Sequence, residues 1–353
     1  MIEILDPVSD AERVAELRAA GYEFVDAWTP ARDELAGIAP FVGEMPTATS
    51  RFVAFPWRRA VVQLPDPDTF YRLRTARNRY LVDDDEQAAW AGALVGIAGL
   101  SVGASVLRVC ALTGARRFRL AEFDTLGMTN LNRLEASVCD IGAPKLRSAL
   151  RRVLEADPYT DVTAFPAGYR AADAAAFLGT GGEPLTVLLE EMDSLEHKID
   201  IRVRARAARI PVLMVTDNGD NAILDVERFD LEPDRPLFAG RAGAVEALDP
   251  ARLRNPAERL RIVSRIVGTD ITPRARFSLT QVGRTLASWP QLGTAATAAG
   301  AFAGYAARLI ACGKPLPSGR FRLDLDRAVY GGAATRAVDW HELDAAAFQA
   351  ALA

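Results

Sequence analysis

"LVGIAGLSVGAS", residues 94–105, is an apolar run that breaks on a glycine and reopens as a helical pattern. Leu94–Ala98 carries no charge and is short, which predicts a buried strand. "SVGASVLRVCALTG" (101–114) follows at helical spacing and stops at Gly114. A strand that turns on glycine straight into a helix brings backbone N–H groups and a positive dipole end up to a phosphate. The spacing is irregular. With Gly99 as the first glycine, Ser101 and Ala104 stand where Gly-x-Gly-x-x-Gly has its other two, and Gly103 is displaced. Small side chains still permit close approach. The same letters also suit a plain strand–helix turn, so the loop alone leaves both readings open.

Working outward, the alternation continues. "RFRLAEF" (117–123) reads as a strand and "APKLRSALRRVLEADP" (143–158) as an amphipathic helix with Leu146, Leu150, Val153 and Leu154 inward. "DVTAFPAG" (161–168), "LTVLLEE" (185–191) and "PVLMVTD" (211–217) read as strands, separated by the helical stretches 170–179 and 195–210. Strands alternating with helices predict an α/β, Rossmann-like, mostly parallel sheet with helices on both faces. "AILDVERFD" (222–230) and "GRFRLDLD" (319–326) read as later strands of an antiparallel extension, with a small-residue helix, 293–313, between them.

Before residue 84 the pattern is different. "DAERVAELRAA" (10–20) predicts a helix, "GYEFVDAW" (21–28) and "RFVAFPWRRAVVQL" (51–64) predict strands, and the segment between them is turn-rich. The reading is a small N-terminal accessory α+β region over 1–83, a nucleotide-binding domain over 84–335 and a tail over 336–353.

The totals bound the function. Forty-two basic against 46 acidic residues give a net charge of −4, which argues against a nucleic-acid partner. Only three of the basic residues are lysines, Lys145, Lys198 and Lys314, so each stands out. The three cysteines, Cys110, Cys139 and Cys312, are far apart, so neither a disulfide framework nor zinc is expected. No membrane segment and no signal peptide are expected, and a cytoplasmic setting fits.

Glu122 closes the second strand 23 residues after Gly99, near the spacing at which a carboxylate meets a ribose; a solvated strand end is the other reading. Asn130, Arg133 and Lys145 follow closely. A dinucleotide carries two phosphate charges, whereas a triphosphate carries about four and needs fixed cations at its leaving group. Arg133 offers a two-pronged donor and Lys145 a compact charge. Each also reads singly as a solvent-facing side chain. Asp193, after the fourth strand, is placed to hold Mg²⁺ on phosphates, with Glu190 and Glu191 as rivals; alternatively it N-caps the helix starting at Ser194.

"GLSVGAS", "AEFDTLGMTNLNR", "GAPK" and "EEMDS" together resemble ThiF/MoeB-type adenylyltransferases, bacterial relatives of ubiquitin-activating enzymes, over roughly residues 77–310. The Phe-Asp-x₅-Asn-x-x-Arg and Pro-Lys pieces carry most of the resemblance. It implies an ATP-binding fold, a homodimer, and Mg-ATP-dependent adenylation of a carboxylate with release of pyrophosphate. The partner would be a peptide, a carrier protein or a small acid. Glu122 takes the ribose position, with Asp124 two residues on; Asn130, Arg133 and Lys145 take the triphosphate positions and Asp193 the metal-linked one. Arg79, with Arg77 next, matches the arginine that reaches the other protomer's γ-phosphate. The chain departs from the pattern at Ser101 and Ala104, and at Leu134, where a Gln often follows the motif Arg. "SLTQVGRTLASWPQLG" (278–293) resembles a subgroup with an extra N-terminal region; the nitroreductase-like domain joined to some of these is not expected here. Two other readings remain, a nicotinamide-dependent oxidoreductase and a non-catalytic scaffold.

A carboxylate substrate, with pKa about 4, is already ionised at neutral pH. It needs no general base, and positioning and positive charge supply the catalysis. Neither histidine, His197 nor His341, is expected in the site.

Overall fold

A computed structural model describes residues 2–42, 48–248, 250–253, 255–330 and 341–352. The chain divides into two compact units, residues 1–88 with 153–160, and residues 89–152 with 161–353.

The first unit holds β1 (Glu3–Leu5), α1 (Ala11–Ala19), β2 (Glu23–Asp26), α2 (Trp28–Val42), β3 (Ser50–Phe55), β4 (Ala60–Pro65) and α3 (Pro67–Thr75). Its sheet runs β1-β3-β4-β2, antiparallel except for the parallel β2–β4 pair. Leu5, Val14, Leu17, Ala54 and Val61 form its core. The turn-rich stretch expected after β2 is instead mostly the helix α2. Asp26 Oδ1 accepts the Thr29 N–H at 2.9 Å, and Pro30 falls in the first turn, where its missing donor costs nothing.

α4 (Asp84–Gly92) leads into the larger unit, whose parallel strands are β5 (Leu94–Ala98), β6 (Arg117–Ala121), β7 (Asp161–Phe165), β8 (Val187–Glu190) and β9 (Val212–Asn218). α5 (Val102–Leu112), α6 (Lys145–Ala156), α7 (Ala174–Leu178) and α8 (Leu195–Ala207) alternate with them. β10 (Asn221–Glu227) and β11 (Gly319–Leu323) extend the sheet antiparallel, giving the order β11-β10-β9-β8-β5-β6-β7. α9 (Pro250–Leu253), α10 (Pro256–Val267), α11 (Pro273–Thr280), α12 (Gly293–Ala311), α13 (Leu325–Tyr330) and α14 (Ala345–Leu352) complete it.

The fold class expected from the alternation holds, antiparallel extension included. From β5 the chain winds outward through β6 and β7, then returns to place β8 on the other side of β5. That reversal opens a crevice outside the carboxyl ends of β5 and β8, where doubly wound sheets bind ligands. α12 explains its own small residues. A Cβ at Gly300 would meet the Ser105 carbonyl oxygen at 2.7 Å, and one at Gly304 would meet Val109 at 2.9 Å, so α12 lies tight against α5. Of the expected tail, 336–340 fall outside the described residues; Phe348 of α14 packs with Ile223 and Ile271.

Candidate active site

Gly99 leaves β5 with φ +92°, and a Cβ there would stand 2.5 Å from the Glu191 carbonyl oxygen. The position therefore demands glycine twice over, by conformation and by space. Gly103 is required by packing, since a Cβ would meet Ile97 at 2.9 Å. Its displaced position serves the helix–strand contact of the third glycine in the usual pattern. Ser101 is the N-cap residue of α5, and the Ala104 N–H donates to its carbonyl at 3.1 Å.

Glu122 is 6 % exposed, which rules out the solvated strand end. Its Oε2 accepts the Leu100 N–H at 2.7 Å, and its Oε1 accepts those of Phe123 at 2.7 Å and Asp124 at 2.8 Å. One carboxylate thus ties the glycine loop to the exit of β6. An ionised carboxylate has about four acceptor positions, so about one is left for a ribose hydroxyl.

The segment after β6 folds back on itself. The Leu126 N–H donates to the Ala143 carbonyl, Gly142 to that of Leu126 and Lys145 to that of Asp124, each at 2.8 Å. This short ladder returns Lys145 to the start of the segment although 21 residues separate it from Asp124. Lys145 is 9 % exposed, so it is not a solvent-facing lysine, and its Nζ donates to Asp124 Oδ2 at 3.0 Å. Asn130 Oδ1 accepts the Gly127 N–H at 2.9 Å and closes the intervening turn. Arg133 is half-buried, with Nη1 donating to the Thr129 carbonyl at 3.0 Å and to Asn132 Oδ1 at 2.9 Å, and Nε approaching Ser101 Oγ at 3.4 Å. Burial holds its guanidinium below the usual arginine range, and the fields of Asp217 and Asp193 oppose that.

The three acids after β8 have separate fates. Glu190 is fully buried, bonded by Lys198 at 3.1 Å and by Arg202, which donates in turn to Glu227 at 2.7 Å. Burial works against its charge, but Lys198 and Arg202 outweigh burial and keep the carboxyl below the ordinary range. Glu191 accepts the Val215 N–H at 2.8 Å, and burial pushes its carboxyl well up, against the field of Lys198. Asp193 is exposed and does not cap α8; Ser194 does, accepting the His197 N–H at 3.3 Å. No hydrogen bond engages the Asp193 carboxylate among the described residues, and its oxygens are of the type that a hard cation takes. No cluster of three or more His, Cys, Asp or Glu among the described residues would hold a metal unaided.

Arg77 and Arg79 belong to the first unit, Arg77 in a 3₁₀ turn and Arg79 just after it with its guanidinium 5.4 Å from the Tyr80 ring. Cys110 is buried and its thiol is pushed up to about 12 by burial, which fits a core residue; Cys139 is exposed. His197 lies edge-on to Tyr169 and His341 stacks on Phe277.

Two residues linked to the Arg133 segment, Asp217 and Gln291, were not foreseen. Asp217, near the end of β9, is 7 % exposed and accepts Gln291 Nε2 at 3.0 Å on Oδ2, while its Oδ1 is buried without a partner. Burial raises it to about 6, with Gln291 and Arg133 opposing. Asn132 Nδ2 donates to the Gln291 carbonyl at 2.8 Å. The one available signal was a carboxylate inside the otherwise apolar run "PVLMVTD".

Residues 75–218 match the model of the ThiF family. An uncharacterized protein of Mycobacterium tuberculosis (strain CDC 1551 / Oshkosh), MT1398, is 35 % identical over 312 residues, 87 % of this chain and 42 % of that relative. The chain therefore spans under half the length of the curated relative it matches. Among solved structures, TcdA (CsdL) superposes with TM-score 0.51 at 15 % identity, covering 69 % of this chain and 95 % of that one. Escherichia coli MccB with succinimide gives 0.50 at 17 % identity, covering 71 % and 68 %. At such identities the likeness is one of fold. No helix among the described residues is long and apolar enough to cross a membrane. Over residues 75–218 the chain is similar to the ThiF family.

Proposed function

We propose that the protein catalyses Mg-ATP-dependent adenylation of a carboxylate, with release of pyrophosphate. The observation that carries this reading is that one folded-back segment brings Arg133 to Ser101 of the glycine turn and Lys145 to Asp124, whose N–H shares the Glu122 carboxylate with the Leu100 N–H of that turn. The Gly99 turn and the start of α5 take the phosphates, and Glu122 offers its remaining acceptor to the ribose. Asn130 shapes the turn that aims Arg133. Arg133 and Lys145 neutralise charge on the departing pyrophosphate. Asp193 holds Mg²⁺, which draws charge from the phosphates when bound. Lys145 must leave Asp124 for the nucleotide; the two groups lie 3.0 Å apart, so Asp124 holds the ammonium in place until then. The incoming carboxylate is an anion approaching an anion, and the cations offset that repulsion.

The substrate is a peptide or carrier-protein C-terminus or a small acid, the protein acts as a homodimer in the cytoplasm, and Arg79, with Arg77 as alternative, reaches the partner protomer's γ-phosphate. A nicotinamide enzyme would leave Arg133 and Lys145 beside the loop without a task. Pyrophosphate exchange, measured with panels of peptides, carrier proteins and small acids, tests the reading. Lys145→Ala is expected to remove exchange while circular dichroism stays native. Unchanged exchange in that variant removes Lys145 from the mechanism, and tight NAD binding without ATP binding refutes the whole reading.

A further inference from the structure

The cations of the site are held by a hydrogen-bonded chain that reaches far along the sequence. Arg133 Nη1 donates to Asn132 Oδ1 at 2.9 Å, Asn132 Nδ2 to the Gln291 carbonyl at 2.8 Å, and Gln291 Nε2 to Asp217 Oδ2 at 3.0 Å. We propose that Gln291 and Asp217 are positioning residues for Arg133, a role that rests on the reading in which Arg133 meets the triphosphate.

Three observations carry this. Arg133 sits at the end of a short turn, and a flexible guanidinium meets two phosphate oxygens well only when its plane is fixed. The turn itself offers it Thr129 and Asn132, both on the same exposed segment, and the glycine turn adds the long approach of Ser101 Oγ at 3.4 Å, so a firmer hold from elsewhere in the fold is needed to set that segment. Residues 291–293 supply it by close packing as well as by hydrogen bonds, since a Cβ at Gly293 would stand 2.8 Å from the Asn132 carbonyl oxygen. The far end of the chain is rigid. Asp217 lies in β9, paired with Ala222 of β10, and the amide of Gln291 is the hydrogen-bond donor its buried carboxylate has among the described residues. A buried carboxylate with one donor holds that donor firmly, because losing it leaves the charge unsatisfied. The sheet thus fixes Gln291, Gln291 fixes Asn132, and Asn132 fixes Arg133.

The test uses the full chain and calorimetric titration with two probes, Mg-ATP and AMP, so that the phosphate tail is read separately from the nucleoside. Arg133→Ala is expected to lower the preference for ATP over AMP roughly tenfold to a hundredfold, as for lost charge-assisted bonds. Gln291→Ala and Asp217→Ala are expected to lower it about three- to tenfold, as for one neutral bond, leaving AMP affinity unchanged. Asp217→Asn keeps an acceptor for Gln291 and is expected to stay within about twofold of wild type. This rescue separates positioning from a general loss of packing. A wild-type preference in Gln291→Ala alongside its loss in Arg133→Ala overturns the proposal. So does an Asp217→Asn variant as impaired as Asp217→Ala. If the wild type binds no ATP, the nucleotide reading itself fails. The unliganded crystal structure of Gln291→Ala then decides: an Arg133 guanidinium displaced from Asn132 supports the chain, and one unmoved overturns it.

Discussion

Glu122→Gln changes one oxygen to an amide nitrogen and leaves the shape of the side chain alone. In the native site the carboxylate accepts three backbone N–H groups, that of Leu100 on one oxygen and those of Phe123 and Asp124 on the other. Glutamine has a single acceptor atom. Keeping the pair at Phe123 and Asp124 turns its NH₂ toward the Leu100 N–H, donor against donor, where a 2.7 Å bond stood. The variant forfeits one charge-assisted bond and leaves a buried N–H unsatisfied, a cost of about 2–4 kcal/mol in a side chain this buried. For a unit of this size each kcal/mol lowers the midpoint by about 2–4 °C, so scanning calorimetry should record a drop of roughly 4–16 °C. Leu100 lies in the phosphate turn, so Mg-ATP affinity should fall with the midpoint. A midpoint within about 1 °C of wild type refutes the reasoning, because it means the three amides find other acceptors at no cost.

Gly99→Ala imposes a Cβ where φ is +92° and the Glu191 carbonyl is 2.5 Å away. We expect it to lose at least about 2 kcal/mol by urea denaturation, and a neutral outcome contradicts the close approach of the two backbone segments. Arg202→Met leaves Glu190 and Glu227 buried without their shared cation and is expected to cost about 3–5 kcal/mol, whereas a small effect implies that the two acids have taken up protons. Asp217 has a sign that is easy to mistake. Burial raises its pKa from 3.8 to about 6, so between these values the folded protein holds a proton that the unfolded chain has released. Its contribution to stability therefore falls as pH rises through that window and is lost above it. Two pKa units correspond to about 3 kcal/mol, so Asp217→Asn is expected to stabilise the protein by about 1–3 kcal/mol at pH 7.5 and hardly at all at pH 4. Equal gains at both pH values exclude this cause.

Much of the sheet was legible because its strands are buried. Leu94–Ala98 and, up to its last residue, Val187–Glu190 are apolar for packing reasons that act locally, and the helices between them carry the matching period. α2 was not legible, because its Pro30 and Pro40 read as turn residues, and only a side-chain cap on Thr29 shows where a helix begins. Local signals also drew attention to Gly99 and Glu122, each next to a strand end, and to Arg133 and Lys145 in the segment after β6. They could not tell which acid after β8 stays free. "EEMD" presents three carboxylates of similar promise, and their fates depend on Lys198, Arg202 and the Val215 amide, which the fold brings from other elements.

Asp217 and Gln291 were hidden for the same reason, 74 residues apart with no shared motif. Their relation to Arg133 suggests how a degenerate glycine loop remains compatible with nucleotide binding. A loop with glycine at all three positions offers its backbone amides freely, whereas Ser101 and Ala104 bring side chains to the phosphate approach. In the proposed reading the guanidinium of Arg133 then carries more of the phosphate charge, and its placement matters more than it would beside an open loop. A second hold on Arg133, reaching through Gln291 to the sheet, answers that need. The reasoning makes Ser101→Gly and Gln291→Ala interdependent. Opening the loop should lessen the loss of ATP preference caused by Gln291→Ala, with a coupling of about 0.5–1.5 kcal/mol in a double-mutant cycle of ATP affinities. Strict additivity of the two substitutions would show that loop and arginine handle the phosphates independently.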